Sequence, residues 1–303
     1  MAGLLRRLGL CLAAYAALAW VPLVTTEYHT HILVISLYYV ILAVGWNLLA
    51  GYTGQFSLAH HTFAGIGAYT SALLVQRAGI PILAGVVAGA VAAAAVGYGL
   101  GSLCLRMRAI YLALATWAFA ESVRLLVTVE YQITRGDLGL ALGALLVAWQ
   151  IVHSRIGAYL RAIRDDEEAA ATMGVDTFRW KRFAFVVSAV FAAVAGAFQG
   201  HYIGLLSPTP MKFNEMATVI IMVITGGLRT FAGPALGAVF IELLSELLRR
   251  WGEIRMVLFA LLVIAVIRLY PAGLVGLLRA AGARIGARLP ALAPLLGVRR
   301  PAD

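Results

Sequence analysis

Long apolar runs separated by short polar connections constrain the fold of this chain more than any other feature. A helix needs about 20 mostly apolar residues to cross a bilayer. Because lipid offers no partners to backbone N–H and C=O groups, each run that enters it must be helical. The sequence therefore predicts an all-α, polytopic transmembrane helix bundle of about ten spans, with a range of 8–10. The runs are 8–24, 31–50, 58–76, 81–104, 109–128, 138–153, 183–205, 216–229, 233–249 and 255–270.

Composition and charge support a membrane protein rather than a nucleic-acid-binding one. Only 13% of the residues are charged, whereas a soluble domain has about 25%. The net charge of +10 comes from basic residues that lie between apolar runs, as expected of a topology signal. We therefore expect membrane lipid and not nucleic acid as a partner. The first run, which follows Arg6-Arg7, is interpreted as an uncleaved helix, with a signal peptide as the alternative.

The distribution of lysine and arginine predicts the orientation. Ten spans place both termini on one side, and that side receives 17 basic residues against 6 on the other, with Arg124 inside a span. Since cytoplasmic loops are enriched in Lys and Arg, we expect a cytoplasmic N-terminus. Residues 1–278 form the predicted transmembrane domain, and 279–303 a basic cytoplasmic tail.

A charged segment, residues 155–182, interrupts the apolar runs, with 11 of its 28 residues charged. Placing a charge at the bilayer centre costs roughly 2.5–3.5 kcal/mol, so this segment must lie outside the lipid. Its apolar spacing predicts one helix over 156–173, ended by Gly174, with Asp176 capping the next helix. Arg161 with Asp165 and Arg164 with Glu168 have i,i+4 spacing and can pair. Spacing alone leaves a docking helix and a plain connection as alternatives.

A second polar region, residues 45–67, breaks the apolar pattern with glycines. Such a break at membrane depth is tolerated inside protein or beside a water-filled cavity, and often marks a substrate site. The alternative is a short cytoplasmic turn whose helix ends are capped by Gln55 and Ser57. In an apolar run elsewhere, Glu121 and Arg124 are spaced to pair on one helix face, either functionally or at a solvated end. The candidate pathway residues are Asn47, Gly51, Gly54, Gln55, Ser57, His60 and Glu121.

Motifs for bond-making chemistry are absent from the sequence. There is no G-x-x-x-x-G-K-[ST] phosphate-binding loop, so the chain is not an ATPase of the usual type. G-x-S-x-G, H-E-x-x-H and a dispersed Cys/His metal set are also missing. We therefore expect no enzyme activity, no cofactor and no metal. Any energy-coupled role requires a partner chain.

The charged segment and the glycine-broken region resemble those of the LivM-type permeases of branched-chain amino acid ABC transporters. Glu168-Ala169-Ala170, followed by Gly174, is similar to the coupling motif of ABC-importer permeases. The resemblance covers about 32–277. The other matching stretches are Leu160-Arg161-Ala162-Ile163-Arg164, Gly196, His201-Tyr202, Ser207-Pro208, Gly226-Gly227-Leu228, Gly233-Pro234, Gly51-Tyr52-Thr53-Gly54-Gln55-Phe56-Ser57-Leu58-Ala59-His60 and Gly65-Ile66-Gly67-Ala68-Tyr69.

The resemblance implies a permease in the bacterial inner membrane that imports branched-chain or related amino acids by alternating access. It implies a LivH-like second permease, two cytoplasmic ATPase subunits and a periplasmic substrate-binding protein as partners. The coupling helix would sit in a groove on one ATPase. Whether Glu167 or Glu168 is the family glutamate stays open. The implied coupling residues are Arg161, Arg164, Glu167, Glu168, Ala169, Ala170 and Gly174.

Two departures from the family pattern concern the outer and inner surfaces. Between Gly136-Asp137 and Ala141 the chain is shorter than the family by an extracytoplasmic stretch, which bears on binding-protein docking. Arg229 stands where the family usually has a small residue, which bears on a gate or a subunit contact. The alternative functions are a stand-alone secondary transporter or channel for a small polar solute such as an amide or urea, and a membrane enzyme.

Overall fold

The computed structural model describes residues 26–107, 109–127, 139–203 and 209–251, isolated helical positions between 254 and 268, and a helical stretch at 273–278. Within these ranges the chain is helical and has no strand, as the apolar runs predict. The predicted first span, residues 136–138 and the basic tail lie outside the described residues.

Ten α-helices lie between Glu27 and Leu247 in the described ranges. Two 3₁₀ turns, Thr209–Met211 and Leu248–Trp251, accompany them. The helices are α1 (Glu27–Thr53), α2 (His60–Ala78), α3 (Ile82–Cys104), α4 (Ala109–Val127), α5 (Gly139–His153), α6 (Arg155–Asp165), α7 (Glu167–Thr172), α8 (Thr177–Ile203), α9 (Phe213–Gly226) and α10 (Ala232–Leu247).

Three of the described helices are long and apolar enough to cross a membrane. They are Tyr28–Thr53 in α1, Ile82–Cys104 and Thr177–Ile203. Gly143–His153 and Phe213–Gly226 are apolar but shorter. The all-helical character of the described ranges is therefore confirmed, three helices could cross a membrane, and the count of about ten spans stays a prediction.

Helices α1, α2, α3 and α8 form the centre of the bundle, and small residues let their backbones touch. A Cβ atom at Gly196 of α8 would overlap the Ala64 carbonyl of α2, and one at Gly67 would overlap the backbone of Ala193. Gly89 of α3 approaches the Gly67 carbonyl in the same way. This matches the general use of small residues at interfaces between membrane helices.

Helices α9 and α10 form a close pair that packs against α1. A Cβ atom at Gly226 would overlap the Gly233 carbonyl, and one at Gly237 would overlap the Met222 carbonyl. Residues 227–231, here called the α9–α10 turn, join the two helices. The apolar runs 216–229 and 233–249 are therefore two distinct helices joined by a structured turn.

The charged segment differs from its prediction in one respect. The single helix expected over 156–173 is two helices, because Asp166 adopts extended backbone at φ −158° and ψ 109°. The Asp166 side chain accepts a hydrogen bond from the Ala169 amide at 3.0 Å, so it caps α7 and ends the run of α6. Asp is among the best N-cap residues, and this local bond competes with helix continuation.

The other end of the segment agrees with its prediction. Gly174 has φ +85°, the left-handed conformation that glycine adopts without a Cβ penalty. The Val175 amide donates to the Ala170 carbonyl at 3.1 Å, which satisfies a carbonyl at the end of α7. Asp176 then accepts from the Arg179 amide at 3.0 Å and caps α8.

Candidate functional site

The charged segment is anchored to the bundle by the apolar face of α6. Leu160 and Ile163 are 1% and 3% exposed, as the helical stripe predicts. Ser154 caps α6 by accepting a hydrogen bond from the Ile156 amide at 3.1 Å. Tyr159 stacks on Trp180 of α8, with ring centroids 5.2 Å apart. The segment is therefore an ordered element that is fastened to α1, α5 and α8.

The predicted i,i+4 ion pairs within α6 and α7 are wrong. Arg161 donates from Nη1 to the Val152 carbonyl at 2.9 Å, and Arg164 donates from Nη1 to the Gly51 carbonyl at 3.2 Å. Arg164 also pairs with its neighbour Asp165 at 2.6 Å. Val152 and Gly51 lie in the last turns of α5 and α1, where carbonyls lack helical partners and favour a cation. These contacts join α6 to two helix ends.

The two candidate glutamates have different environments. Glu167 forms an ion pair with Lys181 of α8, whose side chain is 8% exposed against 50% for Glu167. Glu168 is exposed, and the adjacent Ala169 and the corner residue Gly174 are exposed as well. Ala170 is buried at 6%. The outward surface of α7 thus includes Glu168 and Ala169, and it continues through Met173, which is 84% exposed, to Gly174.

The glycine-broken region forms a compact turn between α1 and α2. Gly54 has φ +72°, and the Gln55 amide donates to the Leu49 carbonyl at 3.3 Å. Trp46 donates from Nε1 to the Ser57 carbonyl at 2.9 Å, and the Leu58 amide donates to Thr116 Oγ1 at 3.0 Å. The polar backbone of the break is therefore satisfied from within the chain.

The predicted capping of this turn by side chains is only partly right. No side-chain hydrogen bond caps the start of α2. Ser57 Oγ instead accepts from the Ala59 amide at 3.3 Å, one residue before the helix. Gln55 takes part through its backbone amide. The turn is thus held by the neighbouring α1 and α4 as much as by its own residues.

The remaining pathway candidates lie in three separate places. His60 is 2% exposed, with Nε2 3.0 Å from the Leu42 carbonyl and Nδ1 3.1 Å from Ser188 Oγ. Asn47 bonds the α9–α10 turn. Glu121 accepts from Arg124 Nε at 3.0 Å on α4, with both side chains partly exposed. The structure therefore brings Asn47 and Gly51 together near Arg164, and leaves His60 and Glu121 elsewhere.

A cavity of about 40 Å³ lies among α1, α2, α8 and the 209–211 turn, away from all seven pathway candidates. Its polar lining comes from Tyr38, Tyr69 and Gln199. The rest of its wall is apolar and includes several small residues. It consists of Ala64, Gly65, Ala68, Gly196, Gly200, Ile203, Pro210 and Met211. Its polar members come from three different helices, so no local motif in the sequence could indicate them.

Two further polar contacts join α2 to α8 and α1 to α9. Ser71 Oγ lies 2.7 Å from His201 Nε2, and His201 is 1% exposed. His201 lies in the last turn of α8. Tyr39 donates to Glu215 at 2.9 Å. The only signal for these pairs is a polar residue within an apolar run, and such a residue does not reveal its partner.

Metal ligation finds no support in the described ranges. Among the described residues, no group of three or more His, Cys, Asp or Glu side chains is placed to hold a metal ion. His60 and His61 are adjacent at the start of α2, and His60 is already engaged by α1 and α8.

The fold and the site together define a membrane-embedded helical protein that carries an ordered, charged segment. This is the arrangement of a transport permease. The chain belongs to the family described as "Branched-chain amino acid transport system / permease component", whose profile matches residues 28–144 and 138–267.

Two kinds of relatives agree with this membership. The chain is 28% identical to the LivM permease protein of Escherichia coli K12, over 87% of this chain and 73% of that one. Its identity to the LivH permease protein of the same organism is 24%, over 78% of this chain and 91% of that one. Salmonella typhimurium LivM matches to the same extent as the first. No solved structure gives a significant match.

The LivM alignment also bears on the predicted shortening of this chain. It runs over 312 aligned positions, more than the 87% of this chain that takes part. LivM therefore carries residues within the matched range that this chain lacks. The predicted site of the shortening, between Gly136 and Ala141, falls partly on residues outside the described ranges, which resume at Gly139.

Proposed function

We propose that this chain is the membrane-spanning permease subunit of an ATP-binding cassette importer for branched-chain or related amino acids. Membership of the family carries this proposal. The matched relatives are named as permease proteins of high-affinity branched-chain amino acid transport systems. In the proposed arrangement about ten spans lie in a bacterial inner membrane, with the N-terminus and the charged segment in the cytoplasm.

The proposed partners are a LivH-like second permease, two cytoplasmic ATPase subunits and a periplasmic substrate-binding protein. The exposed surface of α7 supports an ATPase contact there, because Glu168 and Ala169 face outward while Leu160 and Ile163 fasten α6 to the bundle. Such an element can accept force on one side and pass it to helices on the other. Glu168 is the stronger candidate for the partner contact, since Glu167 already pairs with Lys181.

In the proposed mechanism this chain performs no bond-making chemistry. ATP-driven closure of the ATPases moves the charged segment, and the helices fastened to it reorient so that the pathway opens on alternate sides. The pathway residues proposed from the sequence remain Asn47, Gly51, Gly54, Gln55, Ser57, His60 and Glu121. Helix ends near broken segments are common places for substrate in transporters.

Co-purification with the ATPases and uptake by the assembled transporter test the proposal. Glu168→Lys and Ala169→Arg change exposed residues of α7 and leave the buried face of α6 intact. We expect each to weaken ATPase association about tenfold, which corresponds to ~1.4 kcal/mol, and to reduce uptake in proportion. Met107→Arg, in the exposed turn after α3, is the matched control and should preserve both.

Two results would argue against the proposed function. If both α7 variants keep full ATPase association and uptake, the charged segment is not the coupling element. If the purified chain alone supports solute flux without ATP, the stand-alone transporter or channel is the better description.

A further inference from the structure

Asn47 makes two hydrogen bonds between α1 and the α9–α10 turn. Its Nδ2 donates to the Thr230 carbonyl at 3.0 Å, and its Oδ1 accepts from the Arg229 amide at 3.3 Å. The residue is 2% exposed. A buried polar side chain whose donor and acceptor both bind one turn holds that turn in place, because losing either partner leaves a buried polar group unsatisfied.

The turn held by Asn47 has a strained backbone. Arg229 has φ +74°, the one positive φ at a non-glycine residue among the described positions. The left-handed conformation costs roughly 1–2 kcal/mol for an L-residue. Thr230 stabilises the turn by donating from Oγ1 to the Gly227 carbonyl at 2.8 Å and by accepting from the Gly233 amide at 3.0 Å. A strained turn kept by surrounding contacts can change conformation when one of those contacts moves.

The charged segment contacts α1 one helical turn after Asn47. Arg164 of α6 donates to the Gly51 carbonyl at 3.2 Å. Gly51 lies one helical turn after Asn47, and a Cβ atom there would overlap the Asn47 side chain and lie 3.2 Å from the Arg229 amide nitrogen. Arg164, Gly51, Asn47 and the turn are therefore consecutive contacts, with no gap between α6 and the start of α10.

We propose that Asn47 is a positioning residue that transmits displacement of the charged segment to the α9–α10 pair. The inference rests on the proposed function, in which an ATPase moves that segment. When Arg164 shifts the end of α1, the two Asn47 hydrogen bonds carry the shift to Arg229 and Thr230. The strained α9–α10 turn switches between its strained conformation and a relaxed one. This switch changes the angle between α10 and the turn.

Hydrogen exchange at the turn amides tests the structural part of the inference. The full chain, assembled with its partner permease and ATPases in lipid nanodiscs, is compared with its Arg164→Met variant. Arg164→Met should speed exchange of the Arg229 amide about fivefold, the factor that one ordinary hydrogen bond supplies. The matched control is Arg182→Met, since Arg182 belongs to the same segment but contacts Ser102 and the Tyr98 ring of α3.

The functional part is tested by the number of ATP molecules hydrolysed per substrate imported. Asn47→Ala removes both hydrogen bonds, and Asn47→Asp retains the acceptor for Arg229 but loses the donor to Thr230. We expect both variants to hydrolyse ATP while importing severalfold less substrate per ATP. Because Asn47 is also a proposed pathway residue, Arg164→Met, which lies outside that set and contacts Gly51, should lower the same ratio. A purely structural role would instead lower assembly, hydrolysis and uptake together.

Opposite results would overturn the inference. One is an Arg229 amide that exchanges equally in the wild type and in Arg164→Met. Another is a normal ratio of import to hydrolysis in both Asn47 variants. The hydrogen-exchange comparison does not depend on transport. If the wild-type complex shows no ATP-driven uptake, the proposed function fails, but the exchange rates still test whether Arg164 is coupled to the Arg229 amide.

Discussion

Lys181 of α8 forms an ion pair with Glu167 of α7 across the Gly174 corner. The Lys181 side chain is 8% exposed, whereas that of Glu167 is half exposed. A buried ammonium group requires a partner, because a charge without one in a low-dielectric site is costly. The pair therefore fixes α7 on α8 and gives the two neighbouring glutamates different environments.

Glu167→Gln should lower the thermal stability of the purified protein more than Glu168→Gln does. The first leaves Lys181 without its carboxylate, at a cost of about 1–3 kcal/mol. The second changes an exposed surface residue, which typically matters by about 0.5 kcal/mol or less. Thermal denaturation in detergent gives the comparison. ATPase association should show the reverse order, and equal melting temperatures for the two variants would contradict the assignment.

Arg229→Gly should stabilise the chain relative to Arg229→Ala. Both variants remove the exposed side chain, but only glycine removes the Cβ atom that opposes φ +74°. The difference in the free energy of unfolding between the two variants therefore measures the cost of the left-handed backbone conformation. We expect it to be about 1 kcal/mol in favour of glycine. The midpoint of thermal unfolding measures it. If alanine is equal or better, the turn does not hold the left-handed conformation in the protein.

Gly196→Ala should disrupt the contact between α8 and α2. A Cβ atom there overlaps the Ala64 carbonyl oxygen, which is backbone and cannot rotate away. Overpacking of this kind costs about 1–3 kcal/mol and sometimes more. Gly99→Ala in α3 is the matched control, because a Cβ at Gly99 meets nothing within 4 Å. Expression and monodispersity in detergent should fall for the first variant and hold for the second.

Several local features of the charged segment could be read from the sequence because their causes lie within a few residues. Gly174 ends α7 in the left-handed conformation, and Asp176 caps α8. The same local chemistry also operates at Asp166, where the predicted helix is interrupted. Asp166 and Asp176 are both N-cap residues and lie ten positions apart. The apolar spacing nevertheless favoured a continuous helix through Asp166.

The partners of the polar side chains could not be predicted in the same way. Arg164 binds the Gly51 carbonyl, 113 positions away, rather than Glu168 one turn ahead. The cavity between α1, α2 and α8 gathers Tyr38, Tyr69 and Gln199 from separate apolar runs. Each choice depends on which helix faces meet, and hydrophobic periodicity states only which face is apolar.

From the sequence alone one can infer a helical membrane protein and predict that its charged segment lies outside the lipid. Both follow from the cost of placing unpaired backbone groups and charges in hydrocarbon. Only the tertiary structure decided that Asn47 holds a turn 183 positions away and that Glu167, not Glu168, is paired inside the chain. The physical reason is that lipid exclusion acts on each residue independently, whereas a hydrogen bond or an ion pair requires two packed helices to present matching groups at contact distance.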